Sequence, residues 1–163
     1  MNLFPMLSQF NAWVNAHIYA SCDTLSEDEY RKDRGAFFHS IHGTLNHLLV
    51  VDRLWFGRLT GTEHGIESLD QILYGDVGDL REARHAEDER IISIVSELSE
   101  EELTRPVAFR TMADTPRKMT GEKILMSVFN HQTHHRGQVT AMLAQAGADY
   151  GDIDIPFFLE AVH

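Results

Sequence analysis

Apolar side chains recur three and four residues apart in several stretches of the chain, and this spacing predicts four main helices. Leu3, Leu7, Phe10, Val14 and Ile18, widened by Phe4, Met6 and Trp13, mark the first, from residue 3 to about 20. The second opens at Ser40, which is suited to N-capping, runs through IHGTLNHLLVVDRLWFGRL to about residue 60 and closes at Gly61. It is apolar over most of its circumference, so it should pack on more than one side. The third covers about residues 79–98, polar at first in REARHAEDER and then apolar at Ile91, Ile92, Val95 and Leu98. The fourth runs from Thr120, whose hydroxyl can cap it, to Gly147, with Ile124, Leu125, Val128, Val139, Met142 and Leu143 on one stripe.

The connections differ in character. After a polar stretch from residue 21, SEDE predicts a short capped turn of helix. The glycine-bearing connection from Gly61 to Gly78, which includes Glu63 and His64, predicts a loop with a turn of helix around residues 69–73, long enough to border a site. In RPVAFRTMADTPRKM the alternation of Val107, Phe109 and Thr111 and the Asp-Thr-Pro turn predict a small β-hairpin or an extended connection. In the tail, Pro156 is expected to block helix, leaving Phe157 and Phe158 to dock on the bundle or on a second subunit. The expected fold class is therefore all-α, one domain over residues 1–163, with a short β-hairpin or extended connection before the last long helix.

Composition narrows the function. Hydrophobic residues make up 43% of 163, enough for a sizeable core, and no apolar run approaches the ~20 residues that span a bilayer. The N-terminus lacks the basic-then-apolar order of a signal peptide, which predicts a cytoplasmic protein. A formal charge of −11 argues against nucleic acid and anionic membranes as partners, since both need clustered Lys and Arg. The single cysteine, Cys22, excludes an intrachain disulfide and reads as a small buried side chain.

Histidine carries the candidate chemistry. His131 and His135 lie four residues apart within or at the margin of the fourth stripe, so both imidazoles project from one face, within reach of a single ion. The competing account, two neutral core histidines, needs two separate acceptors where one ion satisfies both lone pairs. His134 flanks them. The spacing matches that of H-E-x-x-H zinc peptidases, but Gln132 stands where the general base would be and cannot take a proton. On the second helix His47 faces inward; alone it is more often structural than a ligand. His17 lies on the first stripe, more readily a satisfied core histidine than a further ligand. Asp52 lies on an apolar face and needs a partner, either an arginine or a ligand histidine. Glu82 with His85 and Glu160 with His163 have the E-x-x-H spacing of di-iron bundles, yet one pair sits in a run of charges and the other is terminal, so both read as solvated.

FNAWVNAHIY, SIHGTLNHLLVVDRLWFGRL and NHQTHHRGQ are similar to the characteristic helices of the DinB/YfiT-like superfamily, the damage-inducible metal-binding four-helix bundles of bacteria. The resemblance spans nearly the whole chain. It implies an up-down-down-up bundle that often forms homodimers, with His47, His131 and His135 as ligands of Zn²⁺ or Ni²⁺. Three ligands leave an open coordination position, the catalytic rather than the structural arrangement. Characterised relatives include transferases and isomerases that use low-molecular-weight thiols, so the resemblance implies a metal-dependent enzyme activating an external thiol, or a water as in a hydrolase, with a small-molecule substrate. His134 and Asp52 are the candidate catalytic residues. A non-catalytic metal-binding stress-response module is the alternative.

Overall fold

The computed structural model describes residues 3–62 and 65–162. In chain order, α1 spans Phe4–Cys22, α2 Glu27–Arg31, α3 Ile41–Thr60, α4 Val77–Glu97 and α5 Glu100–Thr104. The hairpin strands β1, Pro106–Arg110, and β2, Pro116–Thr120, follow; then come α6, Gly121–Gln145, and α7, Ile155–Ala161. Each of the four long helices has two long neighbours: α1 packs on α4 and α6, and α3 packs on α6 and α4. The chain is all-α apart from the hairpin, and its contacts are compatible with an up-down-down-up bundle.

Local chemistry explains where the elements begin and end. Ser26 caps α2, Ser40 caps α3 by accepting from the Gly43 N–H, and Asp76 caps α4 through the N–H groups of Gly78 and Asp79. Gly61 and Gly147, at φ 75° and 77°, follow α3 and α6 in the left-handed conformation that glycine adopts without strain. A capping box at Ser99 and Glu102 forms α5, an element the hydrophobic pattern does not reveal although the S-x-x-E signature is there to read.

Three local expectations are corrected. Thr120 sits at the N-cap position of α6, but its hydroxyl makes no capping bond and is buried without a partner. The start of α6 is instead set by packing: a Cβ on Gly121 would lie 2.8 Å from the Glu102 carbonyl oxygen, so α5 and α6 meet where only glycine fits. Residues 69–70 form a turn that does not continue as helix through residue 73, where the Leu73 and Tyr74 N–H groups donate to Asn46 Oδ1. Pro156 does not block helix but sits in the first turn of α7, where its missing N–H leaves no bond unmade. Phe158 then docks on Phe10 and Trp13 of α1.

The core divides in two. One cluster joins Val14, Ile18, Leu45, Leu49, Leu80, Val139 and Leu143; the other joins Phe56, Ile91, Val95, Ile124, Leu125 and Val128. On α3, α4 and α6 the residues between these sets are polar and buried: Asp52 on α3, Arg84 and Asp88 on α4, Gln132 and Arg136 on α6. Arg84 lies between the carboxylates of Asp52, at 2.8 Å, and Asp88, at 2.9 Å. Asp88 also accepts from Asn15 of α1 at 3.0 Å. In the polar half of α4, Arg84, Glu87 and Asp88 are buried against α1 and α3, while Glu82 and His85 are exposed, as their place in a run of charges predicts. Among the described residues, no helix is long and apolar enough to cross a membrane.

Candidate metal centre

His47 on α3 and His131 and His135 on α6 converge. One nitrogen from each lies within 4.8 Å of the others, so small side-chain rotations can bring all three onto one ion. His47 Nε2 and His131 Nε2 face each other at 3.0 Å. The three rings meet edge to face or tilted, 4.4 to 5.0 Å apart between centroids.

The tautomers follow from the partners. His47 Nδ1 lies 2.7 Å from the Leu69 carbonyl oxygen, which can only accept, so Nδ1 carries the proton and Nε2 presents a lone pair. His135 Nδ1 is held in the same way by Gln138 Oε1 at 2.7 Å, which leaves its Nε2 free to donate electrons. His131 Nδ1 is buried without a partner, so its Nε2 is the nitrogen engaged at the centre. With the ring neutral, its proton has to reside between the two facing nitrogens or on an unpartnered buried atom. A cation there accepts both facing lone pairs at once, with the His131 proton on Nδ1. The donor set, three imidazoles without a carboxylate or thiolate, suits a borderline divalent metal, and the residues fit one.

Burial keeps the three neutral. It pushes His131 down to about 3, with His135 and His47 adding like-charge repulsion, and His47 down to about 4 against the opposing Leu69 bond. His135 is lowered for the same reason, partly offset by Gln138. Protons therefore do not compete for these nitrogens near neutral pH.

The surroundings aim the rings. Asn46, one residue before His47, takes the Leu73 and Tyr74 N–H groups, and so ties down the segment whose Leu69 carbonyl orients His47. Phe38 stacks on His47 at 3.7 Å between centroids and presents its edge to His135 at 5.6 Å. A tight turn closed by the Ala36–His39 bridge, with His39 at φ 65°, points it there. Gly43 permits the approach, because a Cβ on it would lie 2.2 Å from the Phe38 carbonyl oxygen.

The other candidates stand apart from the three. His134 is exposed, its ring 4.8 Å from His135. Asp52 is fully buried and accepts from Arg84 and, at 2.5 Å, from Gln132 rather than from a histidine; burial pushes its carboxyl up to about 6. His17 bonds the Trp13 carbonyl and lies tilted against the Trp13 ring. Glu160 is exposed, and Glu63, His64 and His163 lie outside the described residues. Gln138 could have been found from its three-residue spacing to His135. Leu69 and Phe38 carry no such signal, because tertiary contacts alone bring them in.

Comparison with known proteins follows the same outline. A family model described as the DinB family matches residues 1–162. Protein DinB of Bacillus subtilis (strain 168) is 28% identical over 158 residues, covering 89% of this chain and 90% of that protein. Among solved structures, a DinB-like protein from Bacillus cereus ATCC 10987 superposes with a TM-score of 0.66 at 20% identity, covering 85% of this chain and 89% of that one. The DinB-like protein YjoA from Bacillus subtilis gives 0.64 at 18% identity, covering 87% and 92%. These two structures share the fold.

Proposed function

This chain belongs to the DinB family, and on that premise we propose that it is a metal-dependent enzyme in which His47, His131 and His135 hold one Zn²⁺ or Ni²⁺ ion. The observation that carries this reading is the convergence of three neutral imidazoles, two of them oriented through Nδ1 so that Nε2 faces inward. When bound, such an ion lowers the pKa of a thiol or water at its open position and so supplies a nucleophile near neutral pH.

Any thiol nucleophile would have to come from outside the chain. Cys22 is buried and its thiol is pushed up to about 12, so it provides no thiolate. The resemblance to thiol-using relatives places sulfur transfer ahead of hydrolysis. In that reaction the thiol gives up its proton, its sulfur bonds an electrophilic carbon, and a leaving group departs or an adjacent bond takes up the electrons. Leu69 and Gln138 keep two rings fixed while this occurs, and Phe38 shields one face of His47 from water. His134, exposed beside His135, is the candidate to carry the thiol proton to solvent.

Elemental analysis of the untagged protein beside His47→Ala and His131→Ala tests the site. One Zn or Ni per chain is expected, lost in both variants while helical circular dichroism persists. Metal that is absent after reconstitution, or unchanged in the variants, overturns the assignment. Thiol consumption with an electrophile, abolished in His135→Ala, is the expected activity. Unaltered turnover in that variant refutes the enzyme, and unfolding on chelation points to a structural ion.

A further inference from the structure

Two arginines are buried in the bundle, and they are satisfied unequally. Arg84 lies between two carboxylates, whereas Arg136, only 5% exposed, meets none within ion-pair distance among the described residues. Its Nη1 donates to the carbonyl oxygen and Oδ1 of Asn11, and its guanidinium lies over the Phe10 ring at 5.7 Å. Nε and Nη2 have no acceptor in the described chain. Burial brings Arg136 down to about 10, so it remains charged at neutral pH. These two nitrogens are not closed off from solvent, so they are open to water or to a ligand acceptor.

That guanidinium lines a cleft of about 400 Å³ between α1, α6 and the segment after α6, on a different face of α6 from the histidines. Gly137, next to Arg136, leaves the helix surface open there. Phe10, Val14 and Ile153 supply apolar wall, and the exposed carboxylates of Asp152 and Asp154 flank the mouth. The segment that carries them is pinned by Ser21 Oγ, which donates to the Asp149 carbonyl at 2.9 Å. The cleft thus has a cationic floor, apolar walls and an anionic rim. A simple anion is repelled at the rim and a simple amine at the floor.

We propose that this cleft binds a small apolar amino acid as its zwitterion, the carboxylate on Arg136 and the ammonium group at Asp152 and Asp154. The volume is within the range of about 300–1,000 Å³ typical of ligand pockets, and the guanidinium fork matches a carboxylate. This site does not depend on the metal reading.

Amide chemical-shift titration of the full chain with L-phenylalanine tests it, beside 3-phenylpropionate, which lacks the ammonium, and 2-phenylethylamine, which lacks the carboxylate. Saturable shifts are expected around Arg136 and Asp152, with each truncated probe weaker by about tenfold or more. Arg136→Lys, which keeps the charge and loses the fork, should weaken L-phenylalanine. The exposed pair Asp152→Asn with Asp154→Asn should abolish its advantage over 3-phenylpropionate. Gly137→Leu, a favourable helix substitution that fills the cleft, should block binding with the fold intact. Because amino acids also chelate metals, the titration is repeated in His131→Ala, where binding should persist. The proposal is overturned by no saturation in the millimolar range, by binding unaffected in Gly137→Leu, by 3-phenylpropionate equalling L-phenylalanine, or by loss in His131→Ala.

Discussion

Replacing Gly43 with alanine sets helix propensity against tertiary packing, and the two predict opposite signs. Gly43 lies in the first turn of α3, and alanine is the better helix former by up to about 1 kcal/mol. Its Cβ, however, would stand 2.2 Å from the Phe38 carbonyl oxygen, which must retreat by about 0.8 Å to reach the 3.0 Å that bounds real Cβ contacts. The obstacle is backbone, held by the Ser40 N–H at 2.7 Å and by the bridged turn, so it yields poorly. Overpacking of this kind costs about 1–3 kcal/mol, and displacing the Phe38 ring from His47 adds roughly 0.5–1.5 kcal/mol. The net expectation is destabilisation of about 1–3 kcal/mol, or a fall in Tm on the order of 5 °C for a chain of this length. Gly137→Ala is the internal control, since its Cβ meets nothing within 4 Å and it should gain about 0.5–1 kcal/mol. Thermal and urea unfolding of both variants decides. If Gly43→Ala is as stabilising as Gly137→Ala, the argument that Phe38 is locked over His47 by a backbone approach is wrong.

Three further outcomes are expected. In the metal-free protein, His47 and His131 titrate at about 4 and about 3, below the ordinary ~6.5, so the unfolded chain binds more protons in that window. Stability is then full above about pH 6.5 and falls as the pH drops through 4 toward 3. Asp52, raised to about 6, contributes the opposite slope, so the effect is read as a difference from His47→Gln with His131→Gln; identical pH profiles would contradict it. Arg84→Met leaves Asp52 and Asp88 buried without their cation and should cost about 3–5 kcal/mol in urea unfolding, a loss under about 1 kcal/mol being incompatible with a closed ion triad. Gln138→Ala removes the acceptor that orients His135 and should weaken metal binding about 10–100-fold in a competitive chelator titration with the helix content unchanged, whereas unchanged affinity would mean that Gln138 does not orient the ring.

Local physics, written in the order of residues, settled the helices. Period and caps located α1, α3 and α6 to within two residues or so, because Ser40, Gly61 and Gly147 act on backbone groups a few positions away. The i,i+4 pair His131 and His135 was equally visible, since a helix puts both rings on one face whatever surrounds it. What packing alone decided is of another kind. Whether His47 joined that pair depended on α3 meeting α6, and its tautomer on a carbonyl 22 residues further along the chain. No sequence period marks the buried ion triad at the charged half of α4. Arg84, Asp52 and Asp88 become inward-facing only when α3 and α4 supply one another's counter-charges and α1 adds the Asn15 amide. Thr120 was misread for the same reason, its hydroxyl being idle where the packing of α5 on Gly121 sets the start of α6, whereas Pro156 follows a local rule, since a first-turn proline leaves no helical bond unmade. Interactions that close over a few residues are encoded in spacing, while those that close across the bundle exist only after the apolar faces have brought their partners together.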